Sequence, residues 1–234
     1  MSHAFSARTK ILFVIGVIFA LSFIAGELTD NYPLRLATKT IPVLLMALYL
    51  VMQPNKGRFQ WLIIIGLLLG ASGDFFLEFS PDTFLIGLVS FLIGHIFYIL
   101  AFLSDCRRPA WGVAIFAYLY GVAIYSFLDM GDMGDMALPV LLYILVIATM
   151  LWRAAARFHA PGVNQKSAKA GLLGSLFFVG SDSLLAITLF VYALPYAGIV
   201  IIIAYWLGQL GITLAASYQQ HASMSSAAAS PPSP

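Results

Sequence analysis

The chain has 234 residues, of which 61% are hydrophobic and only 9% are charged. Soluble domains carry roughly a quarter charged residues, so this composition excludes a soluble globular protein and predicts an integral membrane protein. The net charge of +2 says little about partners, because in membrane proteins the placement of charges matters more than their sum.

Continuous apolar stretches follow one another along the chain, separated by charges, proline and glycine. A helix needs about 20 residues to cross the hydrocarbon core, and these stretches lack the alternation of a barrel strand. The predicted fold class is therefore an all-α bundle of eight transmembrane helices, forming a single domain over residues 1–217. The low-complexity tail, residues 218–234, is expected to be disordered. The predicted spans are 10–26, 33–52, 60–77, 83–104, 109–128, 137–157, 168–190 and 195–217.

Basic residues are distributed unequally between the two sides of this bundle. Ten of the twelve Lys and Arg residues fall on the side that carries the N-terminus and the loops after spans 2, 4 and 6. The other side is mostly acidic. The positive-inside rule places the basic side, and with it both termini, in the cytoplasm. The short loops fit a bacterial inner membrane.

Several ionisable side chains lie within or at the edge of the spans, where charge is costly and functional by default. They are Lys39, Asp74, Glu78, His95 and Asp182. From the helical rise, Asp74 and Asp182 lie about 21 Å from the cytoplasmic face, and Lys39 lies about 9 Å from the outer face. In a slab about 30 Å thick these three share one level. Tyr205 and Gln209 lie near it, and His95 lies a little deeper.

The residue types present restrict the chemistry. Only His95 lies well inside a span, which excludes a three-histidine zinc site there, and neither a nucleophile elbow nor a phosphate-binding loop is present. Two carboxyl groups in a low-dielectric layer cannot both ionise easily, so one can serve as a general acid and the other as a base. The same groups would also suit a proton relay, or polar glue in which Lys39 pairs with an aspartate.

Five motifs in order along the chain resemble the YhhN-type lysoplasmalogenase family. They are "KTIPVLLMALYL" (39–50), "GLLLGASGDFFLEF" (66–79), "SFLIGHIFYILAF" (90–102), "LLGSLFFVGSDSLLAI" (172–187) and "AYWLGQLGI" (204–212). The resemblance implies an eight-span enzyme that hydrolyses the vinyl ether of lysoplasmalogens without a metal or an organic cofactor. The products would be a fatty aldehyde and glycerophosphoethanolamine or glycerophosphocholine.

The resemblance also implies roles for individual residues. Asp74 and Asp182 are the expected catalytic acid and base, in either order. We expect a lysophospholipid substrate and membrane lipids as partners, and no nucleic acid. Three alternatives stay open: a proton-coupled transporter, a hydrolase of another lipid bond, and a structural or small-ligand-binding protein. The expected substrate-binding residues are Lys39, His95, Tyr98, Ser181, Tyr205 and Gln209, with Glu78 one helical turn beyond Asp74.

Overall fold

The computed structural model describes residues 7–229, with side chains described as far as Gln220. Within this range eight helical segments are long and apolar enough to cross a membrane, so the predicted all-α class and the eight spans are confirmed. The helices are α1 (Ala7–Leu28), α2 (Tyr32–Thr38), α3 (Ile41–Met52), α4 (Arg58–Phe79), α5 (Phe84–Asp105), α6 (Trp111–Leu128), α7 (Ala137–Ala156), α8 (Gln165–Phe190) and α9 (Ala197–Ala229).

The second span consists of two helices, α2 and α3, which meet at Lys39 and Thr40. Pro42, in the first turn of α3, has no N–H group and so cannot continue the hydrogen-bond ladder of α2. The Thr38 hydroxyl donates to the carbonyl of Leu34 at 2.6 Å in the last turn of α2. The continuous helix predicted for this span is therefore interrupted, and Lys39 lies at the interruption.

The bundle has two chemically different ends. The end at which α1 begins carries the loops after α3, α5 and α7 and is called the basic end; the opposite end is called the acidic end. The spans of α4 and α9 are the most deeply buried, with 44% and 50% of the residues in their most apolar stretches buried inside the protein, against 11% for α1. Helices α4 and α9 thus form the centre of the bundle, and α1 lies at its lipid-facing edge.

Helices α8 and α9 pack backbone to backbone. A Cβ atom added to Gly174 would lie 2.7 Å from the carbonyl oxygen of Gly208 and 2.8 Å from the backbone nitrogen of Ile212. Small residues let helices approach this closely in membranes, where dispersion and hydrogen bonding drive helix association. The contact fixes α8 beside α9 and therefore fixes the position of Asp182 relative to the centre of the bundle.

The basic end is held together by a buried guanidinium group. The side chain of Arg157 is fully buried; its Nη2 atom lies 2.7 Å from Asp105 Oδ2 and also donates to the Ser167 hydroxyl at 2.7 Å. Its guanidinium carbon lies 4.7 Å from the ring centroid of Phe59 and 5.2 Å from that of Phe102. One side chain thereby joins the ends of α4, α5, α7 and α8.

The C-terminal boundary differs from the prediction. Helix α9 does not end at residue 217 but continues through Ala229, so the part of the expected disordered tail that the structure describes is helical. The Gln219 amide oxygen accepts from the backbone N–H of Asn164 at 3.1 Å, and Gln220 donates to the carbonyl of Pro54. These bonds tie the end of the span to two loops of the basic end. Residues 230–234 lie outside the described residues.

Candidate active site

A cavity of about 300 Å³ lies in the half of the bundle toward the acidic end. Most of its wall is apolar, with side chains from α1 and from α4 to α9. Both intramembrane aspartates line it, although they come from helices that are far apart in the sequence. The other charged or hydroxyl-bearing residues in its wall are Glu27, Lys39, Glu78, Tyr120, Tyr143, Ser181, Ser183 and Tyr205.

Asp74 ends a chain of hydrogen bonds that crosses the core. Tyr98 on α5 donates to the Gln209 amide oxygen at 2.6 Å. The Gln209 amide nitrogen donates to the Tyr205 hydroxyl at 3.1 Å, and Tyr205 donates to Asp74 Oδ2 at 2.7 Å. All four side chains are buried. Every donor in the chain points toward Asp74, which suits a carboxylate because an ionised carboxyl group only accepts.

Three glycines of α4 make room for this arrangement. A Cβ on Gly66 would overlap the ring of Tyr98, and one on Gly73 would lie 2.6 Å from the ring of Phe91. A Cβ on Gly70 would lie 2.6 Å from the amide nitrogen of Gln209. These glycines therefore let α5 and α9 approach the aspartate-bearing face of α4 closely enough to hydrogen bond.

Asp182 on α8 has a different tyrosine partner. The Tyr143 hydroxyl, on α7, donates to Asp182 Oδ2 at 2.5 Å, and both residues line the cavity. Sequence reasoning missed Tyr143. It lies six residues after the start of α7, about 9 Å along the axis, which is the depth that brought Lys39 into consideration. That depth was the available signal, but an uncharged aromatic residue in a span is ordinarily read as packing.

Lys39 contacts neither aspartate. Its Nζ atom donates to Glu78 Oε2 at 3.0 Å, while Arg35 donates from Nε to Glu78 Oε1 at 2.9 Å. Glu78 is therefore the shared acceptor of a compact ion-pair network at the acidic end of the cavity rather than an isolated helix-end charge. The alternative in which Lys39 pairs with an aspartate does not match this geometry.

The predicted residues divide into two groups by position. Three of them lie behind the wall of the cavity rather than in it: His95, Tyr98 and Gln209. His95 is 1% exposed, and within the described part of the chain neither ring nitrogen has a hydrogen-bond partner. Its ring packs edge-on against Phe178 at 4.5 Å and Tyr143 at 5.4 Å. The cavity wall holds the others: Lys39, Asp74, Glu78, Ser181, Asp182 and Tyr205.

Two hydroxyl groups join helices at the edge of the cavity. The Ser181 hydroxyl donates to the carbonyl of Ile201 at 2.9 Å, joining α8 to α9. The Tyr120 hydroxyl donates to that of Ser183 at 2.9 Å, joining α6 to α8. Tyr120 and Leu189 line the cavity and are also exposed on the outer surface of the bundle. Between α6 and α8 the wall of the cavity is therefore formed by side chains that also face the outer surface of the bundle.

Over residues 7–220, no group of three or more His, Cys, Asp or Glu side chains is placed to hold a metal ion.

Comparisons with known proteins relate the chain to lysoplasmalogenases. A family model described as the YhhN family matches residues 34–216. The lysoplasmalogenase TMEM86B of Rattus norvegicus is 33% identical over 178 residues, which are 76% of this chain and 71% of the relative. Lysoplasmalogenase TMEM86A of Homo sapiens is 30% identical over 170 residues, 72% and 68% of the two chains. A lysoplasmalogenase of Mycobacterium bovis is 29% identical over 175 residues, 71% and 64%. No solved structure matches the chain significantly.

Proposed function

Because the chain belongs to the YhhN family, we propose that it is a lysoplasmalogenase in which Asp74 and Asp182 carry out acid–base hydrolysis of a vinyl ether. The observation that carries this mechanism is their joint position in one largely apolar cavity within the membrane. Each aspartate also accepts a hydrogen bond from a tyrosine on another helix. The substrate is a lysophospholipid, and the enzyme works as an integral membrane protein.

The reaction needs one protonated and one ionised carboxyl group. The acid gives its proton to the carbon of the vinyl ether that is remote from the ether oxygen, which leaves an oxocarbenium ion. The second carboxyl group takes a proton from water while the water oxygen bonds to the cationic carbon, and a hemiacetal forms.

Collapse of the hemiacetal restores both carboxyl groups. The first, now ionised, removes the proton of the hemiacetal hydroxyl, while the second, now protonated, gives its proton to the departing glycerol oxygen. The carbon–oxygen bond to glycerol breaks, and a fatty aldehyde and a glycerophosphodiester result. One water is consumed, and each aspartate regains the protonation state in which it began.

Tyr143 should be a positioning residue for Asp182. We expect Tyr143→Phe to lower kcat by roughly tenfold to a hundredfold, since hydrogen bonds to charged groups contribute about 1.5–3 kcal/mol. KM should change little, because the phenyl ring keeps its place in the cavity wall. Steady-state kinetics with purified protein in detergent measures both constants.

Tyr118→Phe is the matched control for this variant. Like the Tyr143 hydroxyl, the Tyr118 hydroxyl joins two helices: it hydrogen bonds across α6 and α7 to the Thr149 hydroxyl at 2.7 Å. Tyr118, however, is not part of the cavity wall. It should therefore leave kcat unchanged. Equal losses in the two variants would show that Tyr143 acts only through helix packing.

The apolar wall of the cavity suits the alkyl chain of the substrate. Since side chains that line the cavity between α6 and α8 also face the outer surface of the bundle, the alkyl tail of a bound lysolipid can pass between these two helices into the bilayer while its reactive end lies beside the aspartates. A lipid that diffuses within the membrane would then reach the cavity from the side.

The charge distribution supports an orientation in which both termini face the cytoplasm, in a bacterial inner membrane. The basic end carries ten of the twelve Lys and Arg residues, and short basic loops stay in the cytoplasm. A reporter fused after residue 234 that is active only in the cytoplasm should be active. If that reporter is inactive, and a reporter that works only in the periplasm is active at the same position, the proposed orientation is wrong and the termini face the periplasm.

Mass spectrometry of reaction products tests the proposed function directly. Purified protein is incubated with a lysoplasmalogen and, separately, with its saturated alkyl-ether analogue. We expect aldehyde from the vinyl ether alone, because only a double bond beside oxygen can be protonated to an oxocarbenium ion. If neither lipid yields product, the hydrolase assignment fails, and the same aspartates would favour a proton-coupled transporter.

A further inference from the structure

Five charged residues surround the acidic end of the cavity and are here called the mouth cluster: Glu27, Asp30, Arg35, Lys39 and Glu78. Both oxygens of Glu78 are occupied, by Arg35 Nε at 2.9 Å and by Lys39 Nζ at 3.0 Å. Glu27, Lys39 and Glu78 line the cavity itself. The cavity thus joins the two aspartates to a cluster that offers both signs of charge.

Glu27 is the member of the mouth cluster with the weakest internal partner. The closest ion-pair contact of its carboxylate is Arg35 Nη1 at 3.5 Å, and Arg35 is shared with Glu78 at 2.9 Å and with Asp30 at 3.3 Å. No side-chain hydrogen bond to Glu27 is found in the described part of the chain. Its side chain is 30% exposed and lies in the cavity wall. This carboxylate is therefore available to a cation that enters the cavity.

Gly198, near the start of α9, lies against this carboxylate. A Cβ atom at this position would lie 2.5 Å from Glu27 Oε1, so only glycine leaves the side chain where it is. Gly198 is also part of the cavity wall. The sequence of α9 thus accommodates a carboxylate from α1 at the mouth of the cavity.

We propose that two members of the mouth cluster bind the zwitterionic head group of the lysophospholipid, Glu27 contacting its ammonium group and Lys39 its phosphate. This inference rests on the proposed function and specifies the head group that the enzyme selects. A lysine ammonium has three donors, so Lys39 can keep its bond to Glu78 and still donate to a phosphate oxygen. Glu27, lacking such a bond, receives the cationic end.

The spacing along α4 fits this orientation of the substrate. Asp74 and Glu78 are four residues apart on one helix face, about 6 Å along the axis. In the substrate, the three glycerol carbons separate the ether oxygen from the phosphate ester oxygen, which is a comparable distance. The vinyl ether can therefore lie at Asp74 while the phosphate lies at Lys39, the partner of Glu78, and the ammonium group beyond it.

The test compares two substrates that differ only in the cationic group. One is lysoplasmenylethanolamine, and the other carries an ethyl group in place of the aminoethyl group on the same phosphodiester. We expect Glu27→Gln to raise KM for the ethanolamine lipid about tenfold without changing kcat for that lipid. KM for the ethyl ester should stay unchanged. Gly198→Ala, which displaces the same carboxylate, should shift the preference in the same direction.

Asp30→Asn is the control within the same cluster. Asp30 also contacts Arg35, but its side chain is 95% exposed and lies outside the cavity wall, so the variant should keep the wild-type preference. The proposal is overturned if Glu27→Gln affects both lipids equally, or neither.

A binding measurement separates this proposal from the proposed function. The saturated alkyl-ether analogues of both lipids are not expected to be hydrolysed, but a ligand that binds the folded state raises the melting temperature. The ethanolamine analogue should stabilise the wild-type protein more than the ethyl analogue, and Glu27→Gln should abolish that difference. The head-group site would then stand even if no vinyl ether were hydrolysed. Equal stabilisation of the wild type by both analogues would refute it.

Discussion

Asp74→Asn and Asp182→Asn should each lower kcat by roughly 10²- to 10⁴-fold, the contribution that a positioned general acid or base makes to catalysis. Asparagine has nearly the shape of aspartate and still accepts the hydrogen bonds from Tyr205 and Tyr143. It cannot give or take a proton in the reaction. The melting temperature and the binding of the saturated alkyl-ether analogue should therefore stay close to those of the wild type.

The double variant gives a sharper version of the same experiment. In the proposed cycle both aspartates must exchange protons, each in turn. The loss of one therefore stops the cycle even when the other is intact. The double variant should then be little slower than the slower single variant, since residues that act as a unit show non-additive losses. Asp82→Asn, on the exposed turn between α4 and α5, is the control and should keep full activity. A single variant at Asp74 or Asp182 with wild-type kcat would refute the acid–base assignment.

The spans could be predicted from the sequence because the thickness of the bilayer fixes their length. Every predicted start lies within one helical turn of the helix in the structure. The break at Lys39 and Thr40 could not be predicted, because a proline such as Pro42 is also tolerated within a continuous transmembrane helix. The apolar stretch alone does not show whether the helix is interrupted there. The end of α9 was placed too early, because its hydrogen bonds to Asn164 and Pro54 join segments far apart in the sequence.

The sequence predicts how far along each span the candidate site residues lie, but not which side chains contact one another. Counting residues along each span predicts that Asp74 and Asp182 lie in one layer, and in the structure both line one cavity. Counting does not say which helices are neighbours, so Tyr143 was missed and Lys39 was considered a partner of an aspartate rather than of Glu78. His95 lies near the same layer, but its ring faces Phe178 rather than the cavity.

Arg157 shows the same limitation for charge. In the sequence, Arg157 counts only as one of the basic residues that set the orientation. That role treats its side chain as a charge exposed to water. In the structure its side chain is fully buried between Asp105, Ser167 and two aromatic rings. Position relative to the spans predicted the correct end of the bundle, whereas burial depended on α4, α5 and α8 meeting there.

Arg157→Met should therefore destabilise the fold strongly and leave the chemistry intact. Methionine can fill part of the space, but the carboxylate of Asp105, whose side chain is 13% exposed, would lose its ion pair. Breaking a buried pair from one side costs about 3–5 kcal/mol. The free energy of unfolding, measured by titrating the detergent-solubilised protein with a denaturing detergent, should fall by that amount. Because Arg157 is not part of the cavity wall, kcat per folded molecule should not change.

Two further variants separate the buried charge from a general loss of packing. Arg107→Met removes an exposed arginine at the same end of the bundle and should change the free energy of unfolding by less than about 0.5 kcal/mol. Adding Asp105→Leu to Arg157→Met removes the uncompensated carboxylate, and replacing both partners of a buried pair by apolar residues is often neutral. The double variant should thus be more stable than Arg157→Met alone. If it is less stable, the arginine contributes through its contacts with Phe59, Phe102 and Ser167, and the ion pair is not the dominant interaction at the basic end.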